Sequence, residues 1–260
     1  MRRGKLRGIL ILLLLLLFLS GLSVLLFPHL WGAFVDHEIL VDAKEFLTRV
    51  EILPTEEPED LVIVDPPVVT EPARQHPDLW EDMLTYNETI YAQGQSGLSC
   101  EYDYQKPSFY LTQYGLEDEV FGVISIPAME LKMPIYLGAT NQHMADGAAH
   151  LSQTSLPIGG KNTNCVIAGH RGYNGAAYFR YVTDLKPGDE VIITNLWETM
   201  TYVVTDTKII MPNEVDQILI QEGRDMITLL TCHPYASGGK QRFLVFCDRV
   251  TEEGGTYEYN

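Results

Sequence analysis

The chain of 260 residues is 46% apolar and 10% aromatic with 14 prolines, which is enough to bury a core and excludes collagen-like, fully disordered and mini-protein chains. A formal charge of -17, from 35 Asp and Glu against 18 Lys and Arg, argues against nucleic-acid binding, which needs a basic footprint. Arg2, Arg3, Lys5 and Arg7 crowd the first eight residues, so a basic stub (1–8) precedes an acidic body.

Residues 9–27, ILILLLLLLFLSGLSVLLF, carry no charge. At 1.5 Å per residue they reach about 28 Å as a helix, close to the thickness of a bilayer core. A cleaved signal peptide is the competing reading, but its apolar region is shorter, about 7 to 15 residues, and ends at a small-x-small site. Phe27-Pro28-His29-Leu30-Trp31 follows instead, and Trp31 suits a membrane interface. The expectation is therefore an uncleaved transmembrane signal anchor over 9–27. The basic stub places the N-terminus in the cytoplasm and exports the rest, and without a second such stretch the chain is expected to cross once.

Residues 28–77 read as a stalk followed by an acidic, Pro-rich linker. Ile39, Leu40, Ala43, Phe46, Leu47 and Val50 recur at helical spacing. Prolines 54, 58, 66, 67, 72 and 77 then alternate with acids, a composition too stiff and too charged for a core element. Within 78–118, Asp78 is expected to cap a helix with Leu79, Met83, Tyr86 and Ile90 near one face, ended by Gly94 and Gly97. Over 119–250 short β-rich runs follow: FGVISIP, MPIYLG, NCVIAGH, DEVIITN, TMTYVVTDTKIIM, MITLLTC and QRFLVFC. Seven or eight strands with few helices predict an all-β fold with peripheral helices, a mostly antiparallel barrel or sandwich. Residues 251–260 form a polar tail.

Cys100, Cys165, Cys232 and Cys247 lie in the exported part. An even count there favours disulfides, and the absence of CxxC gives zinc little support. Cys232 is set apart because it ends the strand TLLTC and opens into His233-Pro234-Tyr235, and strand ends present reactive groups to solvent. It reads either as a nucleophile or as a structural thiol. A nucleophilic thiol needs a base or a cation nearby. His143 and His150 lie in a polar stretch and suit backbone hydrogen bonding, while His233, adjacent in an extended chain, points to the opposite face from Cys232. His170 closes the strand NCVIAGH just as Cys232 closes TLLTC. Arg242 begins the next strand, so a hairpin joined by HPYASGGK returns it to the cysteine's end of the sheet, where a guanidinium could donate to an oxyanion. A surface histidine and a solvated strand-edge arginine are the competing readings of these two.

Taken together, Thr228-Leu229-Leu230-Thr231-Cys232 with Pro234-Tyr235, Ala168-Gly169-His170-Arg171-Gly172, Thr154-Ser155-Leu156-Pro157-Ile158-Gly159-Gly160, GVISIP at 122–127 and PIYLG at 134–138 resemble the sortase family, nearest to its pilin-polymerising class C. The resemblance implies an eight-stranded sortase-type β-barrel after an N-terminal transmembrane helix and a helical and linker region. It implies His170, Cys232 and Arg242 as the catalytic triad, with Thr231, Pro234 and Tyr235 supporting substrate. It implies a cysteine transpeptidase on the plasma membrane of a Gram-positive bacterium, acting on LPxTG-like sorting signals of surface proteins or pilins. The acyl group would pass through a thioester to a pilin lysine or a cell-wall precursor amine, with no metal or organic cofactor. The Asp-Pro-aromatic lid motif usual in class C is absent after Tyr86-Asn87, and Lys106, Pro107 and Phe109 fall where a lid would be. A housekeeping anchoring enzyme, a cysteine hydrolase and a non-catalytic anchored barrel are the alternative readings.

Overall fold

The computed structural model describes residues 2–52, 74–98 and 105–250. The Pro-rich linker over 53–73, Cys100 and the polar tail lie outside the described residues.

Helix α1 runs from Arg2–Ile52 without interruption and contains Pro28. The sequence divides this stretch into a span and a separate amphipathic segment, whereas the structure joins them into one rod of about 77 Å. Its first half is long and apolar enough to cross a membrane, and its leucines are exposed. Its second half is not a free stalk. Ile39, Ala43 and Phe46, spaced to fall on one face, are buried, the last two against Val120, Val123 and Tyr136 of the barrel wall. Arg49 pairs with Asp118 at 2.6 Å beyond them.

Helix α2, Pro77–Ala92, buries Leu79, Met83, Asn87 and Ile90. The expected cap at Asp78 is corrected: Pro77 occupies the first turn, where its fixed φ suits a helix start, and His76 precedes it in a left-handed conformation without a side-chain cap. Asn87 joins the buried face, and Tyr86 packs partly buried against the same cluster as Leu79 and Met83. Its Oδ1 accepts the Leu156 N–H at 2.8 Å, and the Tyr86 hydroxyl accepts the Gln153 N–H at 2.9 Å, so this helix clamps the TSLPIGG segment on to the barrel.

Eight strands close a barrel in the order β1-β2-β3-β4-β7-β8-β6-β5. These are β1 Val120–Ile126, β2 Leu131–Leu137, β3 Ala148–His150, β4 Thr163–Ala168, β5 Glu190–Asn195, β6 Thr199–Ile210, β7 Asp225–His233 and β8 Gln241–Arg249. A short helix α3, Asn141–Asp146, links β2 to β3. The pairing is antiparallel except for β2–β3 and β4–β7. The interior is filled by Ile124, Ile126, Met133, Ile135, Ile167, Ile227, Leu229 and Val245, with Tyr202 beside them. Cys165 and Cys247 are unpaired and sit in this core, where burial pushes both thiols well above their ordinary range. They serve as small apolar residues.

Candidate active site

Strand pairing alone brings three chain positions together. β4 and β7 run parallel, with Ala168 opposite Leu230, and the ladder continues as the Gly169 N–H donates to the Leu230 carbonyl. The exits of both strands therefore lie at the same end of the barrel. Thr231 fastens them: its hydroxyl donates to the Gly169 carbonyl at 2.7 Å. β8 returns antiparallel and sets Arg242 directly opposite Cys232. The expected hairpin forms, and the turn between its strands carries the cis His233–Pro234 bond.

Cys232 is half-buried. A Cβ placed on Gly239 would lie 3.4 Å from its Sγ and 3.2 Å from an Arg242 guanidinium nitrogen, so thiol and guanidinium border the same point. The Arg242 guanidinium donates to the Gly239 carbonyl at 2.6 Å, which holds it at the hairpin mouth. His170 stacks on Tyr173, with ring centroids 4.5 Å apart and planes 18° from parallel, and meets the edge of Tyr178 at 5.9 Å. Burial lowers its pKa, which makes its imidazolium a stronger acid than an exposed one.

All three residues line a cleft of about 520 Å³. Leu230 and Thr231 form its floor with Ala168 and Gly169, and Ile210 at the end of β6 forms an apolar wall with Val215 and Ile218 of the β6–β7 connection. Pro234 and Tyr235 do not line it. Tyr235 is exposed on the hairpin turn, with the Arg180 guanidinium 5.4 Å above its ring. His233 faces away from Cys232, as alternation requires: Arg171 donates to its Nδ1 at 2.7 Å and to the Thr183 hydroxyl at 3.0 Å. Burial first, and then the Arg171 charge, lowers the His233 pKa.

The residues expected in a lid occupy another place. Gln105 lines the cleft, but Lys106, Pro107 and Phe109 do not. The Lys106 carbonyl accepts from Ser152, Pro107 packs on Gly138, and Phe109 lies between Tyr86 and Tyr114. These contacts hold the segment in the layer between α2 and the barrel flank. His143 and His150 bond backbone carbonyls, of Gly138 and Thr154 respectively. Among the described residues no group of three or more His, Cys, Asp or Glu side chains gathers to hold a metal.

Sequence reading missed Tyr173, Tyr178 and the apolar wall. The aromatic pair sits in a loop without periodicity, and Val215 and Ile218 belong to a connection whose apolar positions match no strand or helix spacing, so neither left a local signal.

Comparison with known proteins agrees with this fold. A family model described as the sortase domain matches residues 124–250. The structure of sortase C-1 from Streptococcus pneumoniae is 29% identical, with a TM-score of 0.64 over 81% of this chain and 98% of that one. The Group B Streptococcus Pilus Island 1 sortase C2 is 31% identical, with a TM-score of 0.60 over 68% of this chain and 97% of its own. Sortase A of Bacillus anthracis is 30% identical over 132 residues, which are 51% of this chain and 60% of that protein. The chain spans less than two thirds of the length of the curated relatives it matches.

Proposed function

Because the chain belongs to the sortase family, we propose that it is a cysteine transpeptidase held at the outer face of a Gram-positive plasma membrane by α1, with its basic stub inside. It cleaves an LPxTG-like sorting signal and joins the acyl fragment to an amine. The observation that supports this reading is the direct pairing of Cys232 with Arg242, beside the exit of β4 that carries His170.

In the first half-reaction the Cys232 thiolate attacks the carbonyl carbon of the signal's threonine. A C–S bond forms and the carbonyl electrons move on to oxygen. Arg242 donates hydrogen bonds to that oxyanion, a contribution worth about 10²–10³ in rate when one such donor is removed. His170 as imidazolium passes its proton to the glycine nitrogen as the C–N bond breaks, leaving a thioester. In the second half-reaction neutral His170 takes a proton from the acceptor amine, which attacks the thioester, forms the amide and expels the thiolate. The chemistry needs no metal or organic cofactor. A shared membrane tether raises the effective concentration of a membrane-held substrate.

The likeness to a pilus-island enzyme favours a pilin lysine as acceptor, with a cell-wall precursor amine as the housekeeping alternative. Mass spectrometry of the full-length chain in detergent, with an LPxTG-type peptide and with or without an added amine, tests the reading. A Cys232 adduct that moves to the amine supports a transpeptidase. An adduct released only to water makes the protein a hydrolase, and a folded chain without any adduct makes it a binding module.

A further inference from the structure

The loop that follows His170 is fastened on two sides. Tyr173 and Ala176 exchange backbone hydrogen bonds at 3.2 and 2.9 Å, closing a tight hairpin whose tip, Asn174-Gly175, has positive φ at both residues. On its inner side this hairpin holds His170. The Tyr173 ring stacks on the imidazole, the Tyr178 ring meets it edge-on, and the Phe179 N–H donates to the His170 carbonyl at 2.9 Å.

Its outer side rests on α1. Gly175 lies against the Pro28 carbonyl and Gly32, and a Cβ on Gly32 would fall inside the Gly175 backbone. One helical turn on, Asp36 Oδ1 accepts the Ala177 N–H at 3.0 Å. Ile39 then enters the same apolar cluster as Ala176, Tyr178 and Phe179, with Val35 packed against it. These α1 residues follow directly on the apolar span.

We infer that the part of α1 leaving the membrane, from Pro28 to Ile39, positions His170 for catalysis through the Tyr173–Phe179 hairpin, with Gly32 and Asp36 as positioning residues. The anchor is then a piece of the catalytic scaffold as well as a tether. Gly32 has no side chain because the hairpin tip occupies that space, and Asp36 satisfies an amide at the point where the hairpin turns back toward the barrel. The inference rests on the transpeptidase reading, since it presumes that the His170 ring must be correctly placed.

The test uses the full-length chain in nanodiscs and an internally quenched LPxTG-type peptide with an added amine. Gly32→Leu, Asp36→Ala and Asp36→Asn are compared with Gly21→Leu, a position on the same helix with nothing within 4 Å. The expected result is a kcat lower by about 10- to 100-fold for Gly32→Leu, the scale of loss from a small misplacement of a reacting group, with KM within about twofold. Asp36→Ala should show a smaller fall of the same kind. Asp36→Asn, which keeps an acceptor oxygen, and Gly21→Leu should match wild type, and all unfolding midpoints should stay close together. Wild-type kcat in both Gly32→Leu and Asp36→Ala overturns the inference. So does a loss that tracks a lowered unfolding midpoint, or one that Asp36→Asn does not rescue. A wild-type chain that forms no Cys232 adduct overturns the transpeptidase reading, and this inference with it; active wild type with unaffected variants overturns the inference alone.

Discussion

The two ends of β7 show how one strand serves two purposes. At its start Asp225 is almost fully buried, and its carboxylate accepts from the Gly160 N–H at 2.8 Å, the Tyr202 hydroxyl at 3.1 Å, Arg249 at 3.2 Å and the Thr163 hydroxyl at 3.3 Å. Arg249 also pairs with Glu198 at 2.9 Å. Seven residues on, Cys232 lines a cleft together with Arg242, whose guanidinium donates to the carbonyls of Gly239 and Gln241. At the closed end polar groups satisfy one another and tie the TSLPIGG segment, β6 and β8 together. At the open end the polar groups are presented to whatever enters. A rigid end allows the other to hold reactive groups in a fixed relation.

Substitutions at the two ends should therefore fail differently. The largest expected effect is at the open end: Cys232→Ala should abolish peptide cleavage and transfer while leaving the unfolding midpoint near wild type, as read by product mass and circular dichroism. Residual cleavage would remove the nucleophile assignment. At the closed end Asp225→Ala should cost about 3–5 kcal/mol of stability in urea titrations, because Arg249 and the Tyr202 hydroxyl lose a buried partner. An undisturbed midpoint would show that the closed end is not the stabilising one.

Arg242→Lys should lower kcat/KM by about 10²–10³ with little change in stability, since an ammonium cannot reproduce a planar fork of donors. Near wild-type rates would reduce Arg242 to a structural role. Acid should act on the barrel body and not on the cleft alone. His150 is fully buried, its Nε2 bonds the Thr154 carbonyl, its Nδ1 has no partner among the described residues, and burial lowers its pKa to about 4. The unfolded chain takes up this proton first, so the contribution is fully present above about pH 6.5 and is lost as pH falls toward 4. The loss should approach roughly 3 kcal/mol, and His150→Gln should flatten the dependence of the urea midpoint on pH over that window. The smallest effect should come from Cys247→Ala: about 1 kcal/mol from lost core packing, with turnover unchanged.

Much of the site could be read along the chain because its residues sit at the ends of strands with strong β patterns. TLLTC and QRFLVF are separated by a turn-rich octapeptide, so the pairing of Cys232 with Arg242 follows from hairpin geometry. The place of His170 needed one further fact, that β4 and β7 are parallel neighbours, which no local pattern states. β3 was not legible because Ala148–His150 is three residues long and too short for alternation to register. The docked half of α1 shows the same limit. Its helical spacing was visible, but the face it buries has meaning only once β1 and β2 supply the opposing surface.

The sequence by itself determined the apolar span, the strand segments and an all-β class, which depend on local composition and periods of two or 3.6 residues, while the closed barrel and the roles of His170, Cys232 and Arg242 were implied only by the family resemblance. Tertiary structure decided which strands are neighbours, that Lys106, Pro107 and Phe109 lie on the flank, and that Asp36 meets Ala177 across 141 residues of chain. Such contacts form between surfaces that are complementary in shape, and complementarity belongs to the folded pair of surfaces rather than to either segment alone.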